Sequence, residues 1–253
     1  MNRLAVGNPA QGATGIICSH PDSFFSVNKK FIIIISIIVL AAAGFLSYKY
    51  LGKKPESPEQ FLERQLVFNI KRQDLPSQAA ELYKKEFDET AGNLRKNPDS
   101  LNDWVDLGVI KKIIGDLEGA ETAWLKASEV NPQNSLSFAN LGDLYGFYLN
   151  QPQKAEEMMQ KAIANDPKEP EWYLRLSEIY HYSYPEKKDL TDDILLQGLS
   201  QIPDDVNLTS NLAAYYREIK DVSRAIEWYE KLLKIWPDNE TAKQDLEELK
   251  KQQ

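Results

Sequence analysis

Four prolines, Pro132, Pro167, Pro203 and Pro237, stand 35, 36 and 34 residues apart, and this spacing limits the possible folds more than any other feature of the chain. Proline has no amide hydrogen and its ring clashes with the turn before it, so it cannot continue a helix. It also pushes the preceding residue toward extended backbone. A terminator recurring at a near-constant interval implies a supersecondary unit recurring at the same interval. Units of about 20–50 residues stack into solenoids, because no single unit can bury its apolar face alone.

The residues between the prolines repeat too. In 101–134, Trp104, Leu107, Gly108, Ala120, Trp124, Ala127 and Pro132 occupy positions 4, 7, 8, 20, 24, 27 and 32 of a 34-residue unit. Residues 135–169 place Phe138, Leu141, Gly142, Tyr145, Ala155, Met159, Ala162 and Pro167 in the same order, with one residue inserted at the hairpin turn. Residues 170–205 follow with Tyr173, Leu176, Ser177, Tyr180, Thr191, Leu195, Gly198 and Pro203 and two inserted residues. Residues 206–239 return to 34 residues with Leu212, Ala213, Tyr216, Ala225, Tyr229, Leu232 and Pro237. Small residues at positions 8, 20 and 27 let two helices approach closely. Large apolar residues at 4, 7, 11 and 24 fill the seam between them and the next unit.

This pattern resembles the tetratricopeptide repeat, with Lys111 departing from the tyrosine of that family. The resemblance implies an all-α solenoid of helical hairpins, wound as a right-handed superhelix, with repeats at 101–134, 135–169, 170–205 and 206–239. Residues 240–253 are expected to form a capping helix, with Ala242, Leu246 and Leu249 at helical spacing on an otherwise polar segment. Residues 58–100 are expected to be an N-terminal helical hairpin or a degenerate repeat. Phe61, Leu62, Leu66 and Ile70 share a face if 58–72 is helical; Ala80, Tyr83, Phe87, Ala91 and Leu94 do so over 77–97.

Residues 31–48, FIIIISIIVLAAAGFLSY, are 18 in a row without charge. As a helix they span ~27 Å, close to the hydrocarbon thickness of a bilayer. This predicts a single transmembrane helix within 29–51, preceded by a disordered tail over 1–28 and followed by a linker over 52–57. Ala41-Ala42-Ala43 offers a signal-peptide cleavage site as the rival reading, but the apolar run continues through Gly44-Phe45-Leu46. Lys49, Lys53, Lys54 and Arg64 after the run favour a cytoplasmic repeat domain. The short N-terminal tail resembles a signal anchor and favours an extracytoplasmic one, the orientation expected here. Val27-Asn28-Lys29-Lys30 resembles the start of a bacterial membrane protein, so residues 1–26 are expected to be absent from the cellular protein or dispensable.

Charge and composition narrow the function. Residues 55–253 carry 24 basic and 37 acidic side chains, a poor match to a phosphate backbone, so no nucleic-acid partner is expected. The single cysteine, Cys18, permits neither a disulfide framework nor a thiolate metal site. Two histidines and no HExxH, phosphate loop or GxSxG elbow argue against an enzyme, and no cofactor, metal or small-molecule substrate is expected.

In the family geometry the first helix of each hairpin lines a concave groove. This implies a partner-binding face including Asn140, Asp143, Arg175, Glu178, Tyr182 and Asn211. Asn140, Arg175 and Asn211 are the expected donors to an extended segment, with Arg175 meeting an acidic side chain. The five-residue carboxylate clamp of some family members falls on Val105, Val109, Asn140, Glu171 and Arg175 and matches at two places only, so a chaperone-type C-terminal tail is disfavoured. The implied function is a membrane-anchored scaffold for protein–protein interaction, binding a peptide or helix. The alternatives are a self-associating structural component and an accessory subunit that positions an envelope enzyme.

Overall fold

The structure, a computed structural model, describes residues 56–252. The tail at 1–28, the apolar segment at 29–51 and most of the linker at 52–57 lie outside them. Among the described residues, no helix is long and apolar enough to cross a membrane. Those residues form α-helices, short π and 3-10 turns, and no strand.

Eleven α-helices follow in order: α1 (Pro58–Gln65), α2 (Ser77–Lys96), α3 (Leu101–Ile113), α4 (Leu117–Val130), α5 (Ser135–Asp143), α6 (Pro152–Asn165), α7 (Pro170–Glu178), α8 (Thr191–Gln201), α9 (Val206–Glu218), α10 (Val222–Ile235) and α11 (Glu240–Lys250). Asp116, Asn134, Asp205, Asp221 and Asn239 cap α4, α5, α9, α10 and α11, each side chain accepting an amide hydrogen of the first turn. The other ends are set by proline. Asn97, Asn131, Asp166, Ile202 and Trp236, which end α2, α4, α6, α8 and α10, all lie between φ −130° and −141°, and each precedes a proline. α2 therefore ends as the second helix of every repeat ends.

The segment before it differs from the expected helix over 58–72. A capping box of Ser57 and Gln60 opens α1, but the helix stops at Gln65. Residues 66–76 cross the turn of the first repeat as an extended strap. The amides of Lys71 and Arg72 donate to the Ile114 carbonyl at 2.8 and 2.9 Å, bonds that a continued helix would have spent internally. Gly115 permits this approach: it has φ +85°, and a Cβ there would lie 2.8 Å from the Arg72 nitrogen. Ile70 is exposed instead of facing the core, while Phe68 packs edge-on against Phe87 at 5.2 Å.

The inserted residues appear as π-helical turns, Leu144–Tyr148 and Ile179–Ser183, at the ends of α5 and α7; a 3-10 turn, Pro185–Leu190, follows the second. A π turn holds one residue more than an α turn, so extra length is absorbed without disturbing the hairpin that follows. Tyr145 and Tyr180 within these turns remain buried at the seam.

The seams share one polar latch. Tyr145 Oη donates to Glu121 at 2.6 Å, Tyr180 to Glu156 at 2.7 Å and Tyr216 to Asp192 at 2.9 Å, each bond spanning 24 residues back to the second helix of the preceding repeat. The equivalent residue in the first repeat is Lys111. Its side chain, 3% exposed, pairs with Asp116 at 2.8 Å and reaches toward the Val67 carbonyl of the strap at 3.5 Å.

Apolar packing divides in two at α4. Ala123 and Ala127 face a core with Leu62, Phe87, Leu94, Trp104 and Leu107, whereas Ala120 and Trp124 face the continuous core of the later repeats. Gly108 lies against Trp124, whose indole donates to the Val105 carbonyl at 3.1 Å; a Cβ at 108 would collide with that ring. α11 closes the far end, burying Ala242 and Leu249.

Candidate partner-binding site

The first helices of the hairpins, α3, α5, α7 and α9, carry all the groove residues implied by the sequence except Tyr182, which stands in the π turn after α7. Asn140 and Asp143 are half-buried on α5. Arg175 on α7 bridges to that helix. Its guanidinium lies 2.9 Å from Glu171, 3.0 Å from Glu178 and 3.9 Å from Asp143. An acidic side chain of a partner would thus compete with three carboxylates already in place, and the expectation that Arg175 receives one does not fit this geometry. The Asn211 amide donates to the Asn207 carbonyl of its own helix at 2.9 Å, so part of its donor capacity is also used.

Asp143 is short of partners. Its Oδ1 is buried without a hydrogen bond. Burial pushes its pKa up to about 6, with Glu178 and Glu171 adding to the rise and Arg175 and Lys112 opposing it. Asp106, on α3, is also raised, by burial and by Asp103. Both carboxyls are thus held less readily ionised than an exposed one, chiefly by burial.

Glu178, Tyr182 and Asn211 come together at one place, a cleft of about 130 Å³ between α7 and α9 that is also lined by His181, Tyr215 and Glu218. Tyr182 is 71% exposed. His181 is buried, and its Nε2 lies 2.8 Å from Glu218 Oε1. A carboxylate accepts only, so Nε2 carries the hydrogen there. The imidazole meets Tyr182 and Tyr215 edge-on, with ring centroids 4.4 and 5.7 Å away, and Nδ1 is buried with no partner. Asn140, Asp143 and Arg175 do not line this cleft. The sequence held a sign of Glu218: His181 and Glu218 occupy positions 12 and 13 of consecutive repeats, both groove positions in the family frame. Tyr215, at position 10, had none. Among the described residues, no group of three or more His, Cys, Asp or Glu side chains is placed to hold a metal ion.

The family described as "Tetratricopeptide repeat" matches residues 137–169 and 210–239, which fall on the hairpins α5–α6 and α9–α10. The Protein CTR9 homolog of Arabidopsis thaliana is 26% identical over 148 residues, covering 56% of this chain and only 13% of that protein. Two solved structures share the fold. The type IV pilus biogenesis factor PilW aligns with a TM-score of 0.50 at 17% identity, covering 62% of this chain and 71% of its own. The C-terminal part of a TPR repeat-containing protein from Cytophaga hutchinsonii aligns at 0.51 and 16% identity, covering 86% and 98%. Two stretches of the chain thus match the tetratricopeptide repeat, and its described residues form an all-helical solenoid of hairpins.

Proposed function

We propose that this chain is a membrane-anchored, non-enzymatic scaffold that recruits a protein partner by holding an extended segment along the first helices of its repeats. The observation that carries the binding face is the open cleft between α7 and α9, where Glu178, Tyr182 and Asn211 converge from successive repeats. Tyrosine supplies large contact area at low entropic cost, as interfaces require. The anchor is supported by the uncharged run at 31–48 flanked by lysines, and an extracytoplasmic repeat domain is part of the same proposal.

The test begins with crosslinking of the full chain in its native membrane and identification of what it captures. Binding of the captured partner is then compared between Asn140→Ala and Asn211→Ala on first helices and Lys161→Ala and Lys231→Ala on second helices. Each first-helix change is expected to weaken binding about tenfold, the loss of roughly one hydrogen bond, with helicity intact. Equal affinity across both sets would remove the interaction from this face. Capture of the chain only by itself would favour a self-associating structural component.

A further inference from the structure

The cleft between α7 and α9 has a chemical preference that its general role does not require. Among its lining residues is His181, whose side chain is 6% exposed. Its Nε2 is committed to Glu218 on the facing helix, and its Nδ1 is buried without a partner. Two carboxylates border the same space, Glu218 with a side chain 56% exposed and Glu178 at 41%. Tyr182 and Tyr215 add aromatic faces, whose negative quadrupoles attract cations.

The basic groups nearby are engaged. Arg175 is held by Glu171 and Glu178, and Arg217 pairs with Asp245. Burial raises the Tyr215 hydroxyl, and Asp192, Asp189 and Glu218 raise it further, against Arg224. Carboxylates and aromatic rings thus converge here, and the guanidinium beside them, Arg175, is shared among Glu178, Glu171 and Asp143, so the local charge is negative and favours a cation over an anion.

We infer that this cleft is a subsite for a cationic side chain, a lysine or arginine of the bound segment, taken between the Glu178 and Glu218 carboxylates and the rings of Tyr182 and Tyr215. The inference rests on the groove reading and makes it specific: the partner is a segment bearing a basic residue opposite the third and fourth repeats. Arginine is favoured over lysine because its planar guanidinium offers several donors and stacks on aromatic faces.

The probe is a positional-scanning library of acetylated, amidated dodecapeptides, bound to the full chain in detergent micelles. Where a position prefers arginine, citrulline serves as its uncharged isostere. The expected result is one position at which arginine or lysine is preferred at least fivefold over citrulline. Glu178→Gln/Glu218→Gln should abolish that preference, and Tyr182→Ala should weaken it, with circular dichroism unchanged. Should the double variant lose helicity, Tyr182→Ala alone decides the matter, since that side chain is exposed and its removal leaving the preference intact would overturn the inference. A preference that survives Glu178→Gln/Glu218→Gln belongs to the overall acidity of the domain and overturns the subsite. Binding with no cation preference overturns the subsite while leaving the groove reading standing. No binding by any peptide overturns both.

Discussion

Asp116 and Asp143 are both carboxylates drawn into the fold near the end of a first helix, and they sit in opposite electrostatic conditions. Asp116 caps α4 and is bonded by Lys111 and Lys71, each at 2.8 Å. Burial would raise its pKa, but the hydrogen bonds from the two lysines outweigh burial and leave it lowered. Asp143 has its nearest cation at 3.9 Å, shared with two other carboxylates, and is raised to about 6. The first lies where the strap meets the repeats and is fully neutralised. The second lies on the proposed binding face and is not. A carboxylate at a structural junction is stabilising when its partners are built in, whereas one beside a binding face has been left for something else to balance.

The largest expected effect comes from breaking the neutralised site. Lys111→Met keeps the length of the side chain and its apolar packing but leaves Asp116 enclosed with Lys71 alone. Removing one partner of a buried pair costs roughly 3–5 kcal/mol, and the remaining lysine places this case near about 3. A shift of the urea midpoint, followed by helical circular dichroism at neutral pH, measures it. An unchanged midpoint would mean that the pair contributes nothing.

Asp143→Asn is expected to act in the other direction. A carboxyl whose folded pKa is raised from 3.8 to about 6 keeps its full stability below the unfolded value and loses it as pH rises through the folded one. The variant should therefore be more stable than the parent by roughly 1–3 kcal/mol at pH ~7, with the gain vanishing near pH ~4. Asp116 follows the opposite sign: its contribution is complete above the ordinary carboxylate range and is lost as pH falls through its lowered value. Urea midpoints of both proteins across this range should diverge upward with pH; parallel profiles would show that Asp143 is not strained.

The smallest effect separates Lys111 from its tyrosine equivalents. Tyr145→Phe, Tyr180→Phe and Tyr216→Phe each delete one hydroxyl and should cost about 1 kcal/mol, with Glu156 and Asp192 still paired with Lys187 and Arg224. Near-additive losses would show that successive seams are independent, as in a one-dimensional stack.

What could be read from the sequence followed from strict periodicity. The pre-proline helix ends, the close contact at Gly108 and the burial of Tyr180 all derive from spacing, and the structure places them as the spacing implies. The strap did not follow, because Phe61, Leu62, Leu66 and Ile70 fit a helix equally well. What ends the helix is a carbonyl at Ile114, remote in sequence. The candidate site was legible as a set of positions but not as a set of neighbours. Arg175 reads as a free donor until the three carboxylates around it are placed. His181 reads as one residue among tyrosines until its two nitrogens are seen to differ.

The strap also determines how this body would bear force. Tension entering at residue 56 is taken up by α1, which Glu63 and Arg95 tie to α2 with two bonds of 2.8 Å. It then passes along residues 66–76 to the pair of bonds on Ile114 and through α2, and only afterwards reaches a repeated hairpin. Tension entering from the C-terminal end meets α11 first, held by Tyr229 on Asp245 and Glu230 on Lys250, and then one tyrosine latch per repeat. A pull from the N-terminal side would meet α1, the strap and α2 before any repeated hairpin; a pull from the other side would meet a repeated hairpin directly behind α11.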